Sequence, residues 1–161
     1  LRKFLLFSLL IVLALGSLGG FLYYREKNDQ LQERIQLLED ALIPKTANGV
    51  AYSWAEAVKT RNGAWQYTLM NAILRKQYLK EFEEINWVTG FSSPWVEKYK
   101  VSRQSVDENG SISFQIDFDW YTSSGYAYSN TAILVATRYD PGQVNELWLI
   151  SFLDFEYEPA P

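Results

Sequence analysis

Asp117, Asp119 and Tyr121 occupy alternate positions of one strand-like segment, so two carboxylates and a phenol share a face. This row is the strongest candidate for acid–base chemistry in the 161-residue chain, with Asp117 or Asp119 as the base. The rest of the chemical inventory is thin. There is no histidine and no cysteine, which removes the usual nucleophile–base pairs and most zinc sites. The same acidic residues also fill the polar phase of an alternating strand, the pattern of a solvent-facing side. No catalytic residue is therefore assigned. The pair lacks the loop of closely spaced oxygen ligands around a glycine turn that calcium takes, so neither a metal nor a cofactor is expected.

Binding is the stronger expectation. Trp87, Phe91, Trp95, Trp120, Tyr121, Tyr126 and Tyr128 gather around the first strands and turns of the C-terminal half, and pockets and partner surfaces are rich in such side chains. Trp120 and Trp148 are assigned to the core, which large rings help to fill. Trp95, Tyr121, Tyr126 and Tyr128 are the candidates for a ligand or protein partner. Arg61, Asn62 and Gly63 read most simply as a helix stop. Two of the 15 basic residues precede the first apolar run, leaving 13 against 19 acidic ones. Such a balance repels phosphate backbones, so no nucleic-acid partner is expected.

The elements that must position these residues follow from periodicity. Ala51, Trp54, Ala55 and Val58 share a helical face, with Asn48 as the expected N-cap and Asn62-Gly63 as the stop. A second helical stretch, Ala64 to Ile85, broken near Asn71, turns Trp65, Leu69, Ile73, Leu74, Phe82 and Ile85 inward; Lys76, Lys80, Glu81, Glu83 and Glu84 form its wet face. From Trp87 the period becomes two. Strands are expected over Trp95–Val106, Ser111–Tyr121, Tyr126–Tyr139 and Val144–Tyr157, separated by turns at Asp107-Glu108-Asn109-Gly110, Thr122–Gly125 and Asp140-Pro141-Gly142. In the second strand Ile112, Phe114, Ile116, Phe118 and Trp120 alternate with polar residues. Helices first and long antiparallel strands after them define an α+β domain.

The N-terminus is of another kind. Phe4 to Tyr24 is an uncharged run of 21 residues after Arg2-Lys3; at 1.5 Å per residue it spans roughly 31 Å, the thickness of a bilayer core. The charge bias puts the N-terminus in the cytoplasm and the remainder outside, a single-pass protein of the cell membrane. The alternative is a cleaved signal peptide, processed near Ala14 and Gly16 or Ser17 and Gly19. Gly16 and Gly20 make a GxxxG step that lets two such helices approach. Beyond the run, Asn28, Leu31, Ile35, Leu38 and Leu42 follow a heptad seam, with Arg34 and Glu39 at the g and e positions of an interchain pair. That seam serves either a parallel homodimer or packing on the chain's own domain. Pro44 ends the helix.

The order of helices and four strands resembles the cone-shaped fold of the nuclear transport factor 2-like, or cystatin-like, superfamily. The phrases WAEAVKTRNGAWQYTLM from Trp54 and NWVTGFSSPWVEKYKV from Asn86 are similar to a module of this fold in exported proteins of Gram-positive bacteria. The resemblance covers about 110 residues, essentially the whole α+β domain, and it implies helices packed on a curved antiparallel sheet of about four strands. It implies no single activity, since the superfamily includes isomerases, dehydratases, transport adaptors and secretion-system domains. In its isomerases an acid and a tyrosine inside the cone supply base and oxyanion donor. The expected organisation is a transmembrane signal anchor over residues 1–24, a helical stalk over 25–43, a linker over 44–48 and the α+β domain over 49–158. Its expected role is a non-catalytic extracytoplasmic domain binding a protein partner or small ligand, an accessory component of an envelope or secretion assembly. The alternatives are the isomerase-like enzyme and a coiled-coil envelope scaffold.

Overall fold

The computed structural model describes residues 2–90, 92–139 and 147–155, with side chains from residue 16 onward. The chain falls into two compact units, Leu1–Asp40 and Ala41–Pro161. The first is a single helix. α1 runs unbroken from Arg2 to Leu42, through the pair Gly19-Gly20, and no proline interrupts it before Pro44. Its polar side chains contact at helical spacing: Gln36 Nε2 donates to Asp40 Oδ1 at 2.9 Å and Lys27 lies over the Tyr23 ring at 5.9 Å. Leu31, Ile35, Leu38 and Leu42 are each 46–55% exposed on the single chain. The expected membrane span is not shown: among the described residues no helix is long and apolar enough to cross a membrane. Residues 4–15 of that span lie outside the described side chains.

In the second unit, α2 spans Ala47–Lys59, α3 Gly63–Thr68 and α4 Ala72–Glu84. The cap of α2 is Thr46, whose side chain accepts from the Gly49 N–H, and not Asn48. A threonine at this position satisfies one of the orphan N–H groups of the first turn, so the linker is shorter than its expected five residues 44–48. Asn62 and Asn71 cap α3 and α4 by accepting from the Trp65 and Leu74 N–H groups. The break expected near Asn71 is thus a new helix start. Ile73 departs from expectation at 75% exposed, because restarting the helix at Asn71 resets the phase of the apolar stripe.

Four strands follow: β1 Trp95–Val106, β2 Ile112–Thr122, β3 Gly125–Tyr139 and β4 Leu147–Asp154. They form an antiparallel meander in the order β1-β2-β3-β4. Asp107 closes the first hairpin by accepting from the N–H groups of Asn109 and Ser111 at 2.9 and 2.8 Å, with Gly110 in the left-handed region at φ 80°. The turn expected at Asp140-Pro141-Gly142 and the tail beyond Phe155 lie outside the described residues. Every ladder carries a bulge. Glu97 and Gln104 are extra residues in β1, Ala127 in β3 and Ser151 in β4, and each bends its strand.

The core lies between one sheet face and the helices. Phe114, Ile116, Phe118 and Trp120 on β2, Ala132, Leu134 and Ala136 on β3 and Ile150 on β4 meet Val50, Ala51, Trp54, Ala55 and Val58 of α2. Of the four alanines of α2, Ala51 and Ala55 are fully buried in this core. With no side chain beyond Cβ they let the helix backbone approach the sheet. The α3–α4 connection joins the sheet directly: Asn71 N–H donates to Ile150 O and Ile150 N–H to Leu69 O, both at 2.8 Å.

Candidate functional site

Between the helices and the same sheet face lies a cavity of about 410 Å³, within the size range of small-ligand sites. Its wall is mostly aromatic and aliphatic. Trp54 comes from α2, Met70 from the α3–α4 connection, Tyr78 and Phe82 from α4, Trp120 from β2 and Tyr128 from β3. Ile85, Leu153 and Phe155 complete the apolar lining, and Thr89, Gly90, Ser92, Ser93 and Pro94 form one side. Trp120 and Tyr128 stack at 5.8 Å and 20°, and the Trp120 indole N–H donates to Asn130 Oδ1 at 2.7 Å, which holds the ring pair in place. Trp54 is fully buried and stands perpendicular to Phe155, with centroids 5.3 Å apart. Among the described residues its indole N–H has no hydrogen-bond partner.

Few polar groups line the cavity, and most are engaged. Gln66, 1% exposed, donates through Nε2 to Ala57 O at 3.2 Å and to Thr89 Oγ1 at 2.9 Å. One amide thereby ties α2, α3 and the cavity wall together. The Tyr78 hydroxyl titrates above its ordinary value of 10.0, first from burial and then from the nearby charges of Glu81 and Asp154. Tyr99 lies off the cavity, and its hydroxyl donates to Glu56 Oε2 at 3.0 Å. It is pushed up to about 12, chiefly by burial and next by that hydrogen bond.

Trp87, Thr89, Ser92 and Pro94 are strapped to the α2–α3 turn. Gly63 N–H donates to Trp87 O at 2.9 Å and Thr89 N–H to Arg61 O at 3.1 Å. The Arg61 guanidinium donates to Ser92 O and, at 3.1 Å, to Pro94 O. Arg61 to Gly63 therefore does end a helix, and it also shapes the cavity rim. Gly63 is required by space: a Cβ there would stand 2.8 Å from both Phe82 Cδ1 and Trp87 O. Asn86 and Trp87 both take left-handed backbone, at φ 50° and 62°, a conformation that costs a bulky residue about 1–2 kcal/mol. Trp87 is held there by stacking on Phe82 at 5.9 Å and by an edge contact with Tyr67 at 5.1 Å.

The four aromatic candidates part company. Tyr128 lines the cavity beside Trp120. Trp95, Tyr121 and Tyr126 are instead cross-strand neighbours on the opposite sheet face, Trp95 paired with Tyr121 and Tyr121 with Tyr126. Tyr126 is 59% exposed and its ring meets Tyr121 at 5.7 Å. Asp117 and Asp119 share that face, and neither lines the cavity. Asp119 accepts from Ser129 Oγ at 2.6 Å; Asp117 accepts from Gln115 Nε2 and Thr131 Oγ1 at 2.8 and 2.9 Å. Phe91 lies outside the described residues, and Trp148 is partly buried against the core. Gln66, Tyr78 and Thr89 were not singled out by sequence reasoning, and Glu81 was read only as part of a wet helix face. Gln66 alone carried a signal, as the polar residue of a stripe that runs through Gly63, Leu69 and Met70 at helical spacing.

The chain is thus defined by an α+β domain, helices on one face of a four-stranded antiparallel meander, with an aromatic cavity between the layers. No family model, curated protein or solved structure matches it.

Proposed function

We propose that the chain is a membrane-anchored, non-catalytic binding protein whose α+β domain takes up a small, largely apolar ligand in the cavity between α2, α4 and the sheet. The carrying observation is that cavity: about 410 Å³, walled by Trp54, Met70, Phe82, Trp120 and Tyr128, and held open by the Arg61 and Gln66 hydrogen bonds. The sequence resemblance to the nuclear transport factor 2-like superfamily supports the same reading, since members of that superfamily use the inside of the cone. Met70 is the only methionine of the chain and 1% exposed. A ¹³C label on its methyl group therefore reports occupancy: the resonance of the full chain shifts on titration with 3-phenylpropanol, and a resonance that stays put removes the cavity reading.

The anchor is the N-terminal part of α1, carrying the uncharged run Phe4 to Tyr24. Its length and the Arg2-Lys3 flank support a cytoplasmic N-terminus and a domain outside the cell membrane. External protease should digest the domain in intact cells while residue 1–40 fragments stay in the membrane fraction. A protected domain would count against this orientation.

A protein-partner surface is a second reading, favoured by the cross-strand row Trp95, Tyr121 and Tyr126, of which Tyr126 is exposed and the other two are half-buried. The isomerase-like alternative draws no support from the cavity, because Asp117 and Asp119 lie on the other face of β2.

A further inference from the structure

We propose that the ligand of this cavity carries a single positive charge: an amine with an apolar, ring-sized body, whose ammonium group sits at the rim beside Glu81 and Tyr78. The inference rests on the cavity reading above and goes further by assigning the sign of the ligand's charge.

The cavity has one charged residue among those described in its lining, and it is Glu81. That carboxylate is exposed at the rim and belongs to no ion pair among the described residues; on the same helix Lys80 pairs with Glu84 instead, at 3.5 Å. No lysine or arginine lines the cavity among the described residues. The two guanidiniums of the surrounding wall are committed elsewhere. Arg61 holds Ser92 O and Pro94 O; Arg75 donates to Met70 O and Thr68 O and lies over the Tyr67 ring at 5.5 Å. An anionic ligand would thus enter an apolar site with no cation to meet it, at full desolvation cost.

The field at the rim has the opposite preference. Glu81 and Asp154 both act on the Tyr78 hydroxyl in the sense that favours positive charge nearby. Three ring systems, Tyr78, Tyr128 and Trp120, line the same cavity, and aromatic faces attract ammonium groups within about 6 Å. Carboxylate and rings together form a one-sided receptor for a cation, with an apolar interior for the body behind it.

Three probes with one body separate the possibilities: 3-phenylpropylamine, 3-phenylpropanol and 3-phenylpropanoate, titrated into the full chain at low ionic strength with the Met70 methyl resonance as reporter. The amine should bind about tenfold more tightly than the alcohol, a preference of the size expected for a rim charge and ring contacts, and the carboxylate most weakly. Glu81→Gln should bring the amine to within about twofold of the alcohol, in line with loss of one exposed charge, and leave the alcohol unchanged. Equal binding of all three probes overturns the charge assignment and leaves the cavity reading standing. An amine preference that survives Glu81→Gln overturns the assignment to this carboxylate. If no probe moves the Met70 resonance, both readings fall.

Discussion

Gly63 shows how little room separates the cavity wall from the helices behind it. A methyl group there meets the Phe82 ring and the Trp87 backbone oxygen at 2.8 Å, and backbone cannot step aside as a side-chain tip does. Gly63→Ala should therefore destabilise the domain by about 1–3 kcal/mol, the usual range for overpacking, read as a lower urea midpoint with an unchanged slope. Tyr99 makes a prediction about pH. Its folded-state pKa of about 12 stands above the ordinary 10.0, so the folded chain keeps a proton that the unfolded chain releases first. The resulting stability is complete below pH 10 and declines as pH rises from 10 through 12. Tyr78 is shifted in the same direction and adds to the same loss. Tyr99→Phe should flatten that alkaline decline, measured as urea midpoints across the interval; a decline of unchanged steepness would place its origin elsewhere.

At the scale of elements, the strap between the α2–α3 turn and Trp87, Thr89, Ser92 and Pro94 is the device that shapes the site. Arg61→Ala removes two charge-assisted donors from Ser92 O and Pro94 O. Amide hydrogen exchange should then quicken over residues 88–95 while the amides of β2 and β3 keep their protection. Equal loosening of the sheet would show that Arg61 supports the whole fold. Periodicity made most elements legible: β1 has the expected limits, and the alternation of β2 puts Phe114, Ile116, Phe118 and Trp120 inward as its sequence predicts. Tyr126 and Tyr128 were not legible. Two apart on one strand, they should share a face, but the bulge at Ala127 pairs Trp120 with Tyr128 and Tyr121 with Tyr126 and sends the two rings to opposite sides. The cavity was hidden for a related reason. Gln66, Tyr78, Glu81 and Thr89 come from separate helices and a loop, and only their three-dimensional convergence gives them a common role.

For the whole molecule, the heptad seam of α1 raises the question of assembly. Leu31, Ile35 and Leu38 present about half their surface to solvent on the single chain, and Arg34 and Glu39 occupy the positions of an interchain pair. With the proposed single-span anchor on the same helix, two copies could meet only in parallel. Cross-linking of the full chain in membranes should yield a dimer, weakened several-fold by the double change Leu31→Ala/Leu38→Ala, since each truncated seam leucine forfeits roughly 2 kcal/mol or more of buried contact. Cross-linking that is indifferent to the change would leave the seam without that role.

The meander is an open sheet, and each of its borders is obstructed to newcomers by different means. Along β4 the backbone groups of Ile150 are already taken by Leu69 and Asn71. Along β1 the line is broken twice, at Glu97 and Gln104, and carries Lys98, Lys100 and Arg103, all exposed. A kinked, charged border is a poor template for another strand. The domain should accordingly stay monodisperse when crowded at high density on a surface, and whatever it recognises must come to a face or an opening, never to the margin of the sheet.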